Sequence, residues 1–181
     1  AAARHLAARF GSPGTVLIGL ALEVAGVVVL ALTVTSSTPG WPIALPLVVY
    51  GLGLGLASAQ LTGTVLRDVP VGVSGQGSAT QSTVRQIGTA LGTAFAGAAL
   101  SVSLAQTLPA ALDGAHITGA AATQLADATR ASAGTLISQL RAQGSASMLG
   151  PQTDAAVQAL SAGFADATRW SLLVAVGFLV L

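Results

Sequence analysis

Glu23 is the residue of this 181-residue chain whose position points most directly to chemistry. It stands ten residues into an apolar run of 22 residues, 14–35, and no other residue of that run is charged. A carboxylate near the middle of a bilayer costs several kcal/mol, so its side chain should face a bundle interior or a water-filled cavity. Glu23 is therefore a candidate for proton coupling or for binding a cationic substrate. The alternative is a permanently protonated side chain that hydrogen-bonds a neighbouring helix.

The other polar residues give weaker indications of a site. Arg85 and Gln86 stand where a helix would leave the cytoplasmic interface, which favours structural anchoring over ligand binding. Gln60 and Thr62 are suited either to line a cavity or to hydrogen-bond across helices. No set of side chains has the spacing of a catalytic triad, a carboxylate pair or a metal site, and the chain has no cysteine. We therefore predict a protein that is not an enzyme and that uses no cofactor.

The composition is that of an integral membrane protein. Hydrophobic residues make up 52% of the chain and charged residues only 7%, whereas soluble domains average about 25% charged. The net charge of +1 provides no basic field for nucleic acid. Spanning segments must satisfy all backbone polar groups internally, so long apolar runs predict helices of ~20 residues. The predicted class is an all-α membrane protein.

Three complete spans follow from the apolar runs. They cover 14–35, 41–66 and 74–104, with 87–104 as the membrane part of the third. Basic residues precede the first span, and none follows it until Arg67. This asymmetry places the N-terminal end in the cytoplasm.

The residues after the third span differ in composition. Alanine, serine, threonine and glutamine dominate 105–168, which we predict to be a long, partly helical extracytoplasmic loop with one helix over 120–143. Thr153, followed by an aspartate, is typical of a helix start. The predicted breaks in this stretch are Pro109, Gly114, Gly144 and Pro151.

The chain begins without methionine, and the last apolar run, from Trp170, has only 12 residues. That is too few to cross a membrane as a helix. We therefore expect a piece of a larger membrane protein. The predicted organisation is a cytoplasmic loop, three transmembrane helices, an outer loop and the start of a last helix: 1–13, 14–104, 105–168 and 169–181.

Small residues recur every four positions in the second and third spans. Such stripes allow the close backbone approach that drives helix association in lipid. They predict either a static packing interface or a surface that slides during transport. The members are Gly51, Gly55, Ala59 and Gly63 in the second span, and Gly88, Gly92 and Ala96 in the third.

Residues 69–100 resemble the loop and following helix near the C-terminus of major facilitator transporters. The nearest likeness is to the fourteen-helix drug:proton antiporters of the EmrB/QacA type. The matching motif residues are Pro70, Gly75, Arg85, Gln86, Gly88 and Gly92. Residues 4–22 also resemble the loop before that family's eleventh helix, with Arg4, Arg9 and Gly11 in the matching places. The chain departs from the family pattern at Gly72 and Ser74, where an acidic and a basic residue are common.

The resemblance implies the C-terminal part of a proton-coupled multidrug or antibiotic efflux transporter in a bacterial cell membrane. Its partners would be the lipid bilayer, the remaining helices of the transporter, protons, and small hydrophobic or cationic drugs. One alternative is a permease for a metabolite or sugar on the same fold. The other is a small membrane scaffold or assembly protein that uses the outer loop as its interaction module.

Overall fold

The computed structural model describes residues 2–180, and that part of the chain is helical with no strand. Six α-helices follow in order: α1 (Ala2–Thr33), α2 (Gly40–Val65), α3 (Ser74–Gly114), α4 (Gly119–Ala131), α5 (Thr135–Gln143) and α6 (Thr153–Val180). Four segments are long and apolar enough to cross a membrane: His5–Thr33, Gly40–Val65, Val71–Gly114 and Gly150–Val180. The predicted all-α class is confirmed. The length and apolar composition of these four segments are those of helices in a membrane protein.

A glycine divides α1 into a short first part and a long apolar part. Gly11 has φ +72° and ψ 168°, a conformation that suits a residue without a Cβ. Pro13 follows in the first turn of the second part, where a missing N–H costs least. The Thr15 hydroxyl donates to the Gly11 carbonyl over 2.9 Å. The apolar part therefore begins close to the predicted start at residue 14.

Threonines close the tight turn between α1 and α2. The Thr38 hydroxyl donates to the Thr33 carbonyl at the end of α1 over 2.8 Å, and the backbone N–H of Thr35 donates to the Thr38 hydroxyl over 2.9 Å. These bonds satisfy backbone groups that a helix end leaves without partners. The predicted short loop between the first two spans is confirmed.

The chain forms two compact units, which we describe separately. The first, here called the span unit, contains residues 2–30, 40–95 and 175–180. The second, the helical lobe, contains 31–39 and 96–174. In the span unit, α1 packs on α2. The Gln81 amide of α3 donates a hydrogen bond to the Thr62 hydroxyl of α2. The ring centroids of Phe95 and Phe178 lie 5.3 Å apart.

The helical lobe has its own apolar core, although its sequence was predicted to be a partly helical loop. Leucines of α3 meet side chains of α4, α5 and α6 there, and the largest fully buried ones are Leu108, Leu112 and Leu160. The Thr107 hydroxyl of α3 also donates to the Gly163 carbonyl of α6 over 2.7 Å. This region is therefore a packed helical unit.

The helix of the third span is longer than predicted, and the predicted break at Pro109 is wrong. α3 continues through Pro109 and ends at Gly114. A proline inside a helix removes one hydrogen bond and usually kinks it. Here Leu104, Leu108 and Leu112, spaced four residues apart, are all buried on the lobe core. Tertiary packing of this face supplies most helical stability and outweighs the local loss at Pro109.

The predicted single helix over 120–143 is also wrong, because the chain turns between α4 and α5. Ala133 has φ +48° and Gly134 has φ +86°, and the Gly134 N–H donates to the Thr129 carbonyl over 2.9 Å. This left-handed turn ends α4 in the way glycine commonly ends helices. A Cβ on Gly134 would also lie 2.8 Å from the Phe164 ring, which leaves space for glycine alone.

The predicted helix start at Thr153 is confirmed. Its hydroxyl donates to the Gly150 carbonyl over 2.7 Å, and α6 then continues without interruption to Val180. The predicted 12-residue start of a last helix is thus the end of a 31-residue segment, Gly150–Val180, which is long and apolar enough to cross a membrane. Four segments, where the sequence analysis predicted three complete spans, are therefore long and apolar enough to cross a membrane. Val157, Leu160 and Phe164 lie on one face of α6, and all three pack on the lobe core.

Thr129 offers a direct test of the lobe core. Its side chain is fully buried, and its hydroxyl has no hydrogen-bond partner within the described part of the chain. Thr129→Val keeps the shape and removes a polar group that is costly to bury unpaired, so we expect a stability gain of about 1–2 kcal/mol. Denaturant unfolding of the detergent-solubilised protein measures it. The control is Thr123→Val on the same helix, because Thr123 is exposed and should change little. A destabilised Thr129→Val variant would contradict the packing.

Candidate functional site

The candidate site is the surface along which α1 packs on α2, and Glu23 lies at its centre. Gly19, Glu23 and Gly26 are spaced four and three residues apart, so they share one face of α1. Only 7% of the Glu23 surface is exposed. Glu23 is therefore a largely buried residue of the helix pair.

Glycines bring the two backbones into direct contact on both sides of Glu23. A Cβ placed on Gly19 would lie 2.7 Å from the Ala57 backbone nitrogen, and one on Gly26 would lie 2.7 Å from that of Tyr50. Because Gly19 faces Ala57 while Gly26 faces Tyr50, the two helices run antiparallel. Side chains at either glycine would push α2 away from Glu23.

Gly53 occupies the matching position on α2, opposite Glu23. A Cβ on Gly53 would lie 2.5 Å from the Gly19 carbonyl oxygen and 2.6 Å from the Glu23 backbone nitrogen. That added Cβ would also lie 3.0 Å from the Cγ of Glu23. A helix contact this close is typical of membrane proteins, where small residues permit backbone approach.

The surroundings of Glu23 contain little charge. Tyr50 is the one titratable residue of α2, and the rest of α1 after Arg9 holds no further ionisable side chain. The ion pairs Arg130–Asp127 (3.3 Å) and Arg169–Asp166 (3.8 Å) lie in the helical lobe, and neither involves Glu23. Glu23 thus lies at the α1–α2 contact, and α2 carries no charged residue that could serve as its counter-ion.

The predicted small-residue stripe of α2 is not the surface that contacts α1. All four of its residues are exposed, and a Cβ on Gly51, Gly55 or Gly63 would meet nothing within 4 Å. The α2 residues that contact α1 are instead Pro46, Tyr50, Gly53 and Ala57. That the stripe of Gly51, Gly55, Ala59 and Gly63 packs against helices other than α1 remains a prediction.

The motif residues of the loop and third span do not converge on Glu23. Pro70 precedes a 3-10 turn (Val71–Val73), and the other five lie along α3. Gly92 is half-buried, and the remaining four are exposed: Gly75, Arg85, Gln86 and Gly88. Arg85 borders an apolar groove of about 540 Å³ whose other walls include Leu61, Val65 and Val69. The prediction of Arg85 as an anchor at the membrane surface stays a prediction.

Thr62 is a candidate from the sequence whose contact can be compared with its expected role. Thr62 accepts a hydrogen bond from the Gln81 amide over 3.3 Å, so the expectation of bonding across helices is confirmed for Thr62. The residues that the sequence analysis missed are Gly19, Gly26 and Gly53. The spacing of Gly19, Glu23 and Gly26 on one helix face was the signal that could have identified the contact.

No family model, curated protein or solved structure matches this chain. The resemblance of residues 69–100 to major facilitator transporters therefore depends on the motif residues alone. The α1–α2 contact and the four segments that are long and apolar enough to cross a membrane are the features of the molecule that bear on its function.

Proposed function

We propose that this chain is the C-terminal part of a proton-coupled efflux transporter of the major facilitator type in a bacterial cell membrane. The observation that carries the proposal is the burial of Glu23 in the middle of an apolar helix, against the backbone of α2. The transporter would work by alternating access, with two helical bundles rocking about a midplane site. Its substrates would be small hydrophobic or cationic drugs.

The energetic cost of Glu23 supports a functional role. A buried ionised carboxylate without a partner is unfavourable by several kcal/mol, so acidic residues inside membranes are rare and commonly mark ion or proton pathways. A carboxyl group that loses and regains a proton as its access to water changes would couple transport to a proton gradient.

The outer surfaces of α2 and α3 support a larger helical assembly. The small-residue stripes on both helices are exposed except at the half-buried Gly92, and a Cβ on Gly88 or Gly92 would meet nothing within 4 Å. Stripes of this kind favour close contacts with further helices. The remaining helices of the same transporter would cover them.

Glu23→Gln in the intact transporter tests the proposal. Glutamine keeps the size of the side chain but cannot exchange a proton, so we expect efflux driven by a pH gradient to be abolished while the protein remains in the membrane. Efflux from proteoliposomes after a pH jump measures it. Asp154→Asn at the exposed start of α6 is the control and should retain transport. Normal pH-driven efflux by Glu23→Gln at normal expression would refute the proposal.

A second candidate function is a membrane scaffold or assembly protein. The packed core of the helical lobe favours it, because a folded lobe can present a fixed surface to a partner. A scaffold predicts that Glu23→Gln has no effect and that substitutions on the lobe surface abolish the binding of a partner.

A permease for a metabolite or sugar would instead keep Glu23-dependent transport and show no export of drugs.

A further inference from the structure

We infer that a cavity in the helical lobe binds the headgroup of an anionic phospholipid that carries hydroxyl groups, such as phosphatidylglycerol. The cavity has a volume of about 500 Å³. Its walls come from residues 34–36 of the turn between α1 and α2, 133–141 in and before α5, and 161–168 of α6, all of which belong to the helical lobe. The inference goes beyond the proposed function, because it needs only a chain that lies in a membrane.

The first observation is the place of this cavity along the chain. Residues 34–36 connect His5–Thr33 to Gly40–Val65, two segments that are long and apolar enough to cross a membrane. A short turn between two spanning helices lies at the membrane surface, because the helices themselves fill the hydrocarbon. The turn therefore brings one wall of the cavity to the level of the lipid headgroups.

The second observation is the charge of the cavity. Arg141 is the one charged residue among the described residues that line it, and neither ion pair of the lobe includes Arg141. Its guanidinium donates to the Ser161 hydroxyl over 3.3 Å, and its remaining N–H groups are free to bind a ligand. The planar fork of an arginine matches the oxygens of a phosphate group. The cavity therefore suits an anion and would repel a cationic drug.

The third observation is that several hydroxyl groups of the cavity have already used their hydrogens. Those of Thr135, Ser138 and Thr168 donate to nearby backbone carbonyls over 3.0, 2.7 and 2.8 Å. Thr35 donates to the Thr38 hydroxyl over 2.6 Å, because the Thr38 hydrogen goes to a backbone carbonyl. Each of these cavity oxygens can still accept a hydrogen bond. A fitting ligand therefore needs hydroxyl groups that donate as well as anionic oxygens that accept.

The fourth observation favours a lipid over a soluble phosphate ester. Val34, Ile137 and Phe164 also line the cavity, so apolar side chains lie beside the polar ones. The glycerol backbone and first acyl carbons of a phospholipid would cover these side chains, whereas a free polyol phosphate would leave them in water.

The lining also favours an anionic headgroup over a zwitterionic one. No carboxylate is among the described residues around the cavity, so the ammonium group of phosphatidylethanolamine would find no counter-ion there. Phosphatidylglycerol instead offers its phosphate to Arg141 and its hydroxyl groups to the serine and threonine oxygens. We therefore commit to this class of lipid as the occupant.

Native mass spectrometry of the chain, released from detergent micelles, tests the inference. The chain is equilibrated with an equimolar mixture of phosphatidylglycerol and phosphatidylethanolamine, and the lipids that stay bound are identified. We expect the wild type to retain phosphatidylglycerol in preference. Arg141→Gln removes a charge-assisted contact and should lower the affinity for phosphatidylglycerol about tenfold. Arg130→Gln is the matched control, because Arg130 is an exposed arginine of the same lobe that does not line this cavity.

Ser138→Ala is a second variant that should leave the fold intact, because Ser138 is exposed. Loss of its oxygen should weaken phosphatidylglycerol binding several-fold, by about the effect of one hydrogen bond. Thr123→Ala is its control, since Thr123 is exposed and has a similar bond to its own helix but lies outside the cavity.

The outcomes that overturn the inference are distinct. They are equal retention of both lipids by the wild type, undiminished binding by Arg141→Gln, an equal loss in Arg130→Gln, and displacement of the lipid by glycerophosphate at the same concentration. None of these results bears on the efflux assay of Glu23→Gln, which decides the proposed function separately.

Discussion

Gly26→Ile is expected to separate α1 from α2 at the end of the helix pair that lies nearer the connecting turn. A Cβ at residue 26 would already lie 2.7 Å from the Tyr50 backbone nitrogen and 2.9 Å from the Pro46 carbonyl oxygen. Those atoms belong to a helix backbone and cannot move aside as a flexible side chain could. Overpacking a contact commonly costs ~1–3 kcal/mol, and we expect Gly26→Ile to lie at the top of that range, about 3 kcal/mol.

Fluorescence energy transfer between two dyes measures the separation. The chain has no cysteine, so single cysteines introduced at Leu17 and Leu61, both exposed, can carry the dyes. Gly26→Ile should lower the energy transfer between the two dyes. In an SDS titration, the remaining energy transfer should be lost at a lower SDS concentration than in the wild type. Gly55→Ile is the matched control, because position 55 faces open space. Equal effects of the two substitutions would refute the α1–α2 contact.

The apolar spans could be predicted from sequence because their signal is local. A charge-free run of about twenty residues leaves few alternatives to a membrane helix. The contact surface of α2 was not predictable in the same way. Small residues at 51, 55, 59 and 63 form one stripe, Gly53 and Ala57 form another, and the spacing in α2 alone does not choose between them. The choice is made by α1, where glycines flank Glu23.

The helical lobe was harder to predict because its core is assembled from distant parts of the chain. Leu108 on α3 and Leu160 on α6 are both fully buried, yet 52 residues separate them in sequence. The surrounding alanine, serine and threonine residues made the stretch resemble a polar loop. Pro109 supported the same interpretation, since propensity describes a local preference that tertiary packing can override. A buried face of leucines spaced by four residues was the signal to weigh more heavily.

Leu108→Ala should therefore be the most destabilising single change in the lobe. The side chain is fully buried in the centre of the lobe core, and α3 cannot collapse into the space without disturbing the Thr107 contact with Gly163. Removing a buried leucine side chain typically costs about 2–5 kcal/mol through lost apolar burial and the cavity left behind. We expect a loss in that range.

Trp170 can report this loss from within the lobe. With Trp41 replaced by phenylalanine, Trp170 is the only tryptophan, so its fluorescence during unfolding follows the lobe and not the span unit. Val102→Ala on the same helix is the control, because Val102 is exposed and its truncation should change little. A cooperative transition shifted by Leu108→Ala, and not by Val102→Ala, is the behaviour of a folded unit with its own core. If both variants unfold like the wild type, the packed lobe is refuted, and the scaffold alternative loses the fixed surface on which it depends.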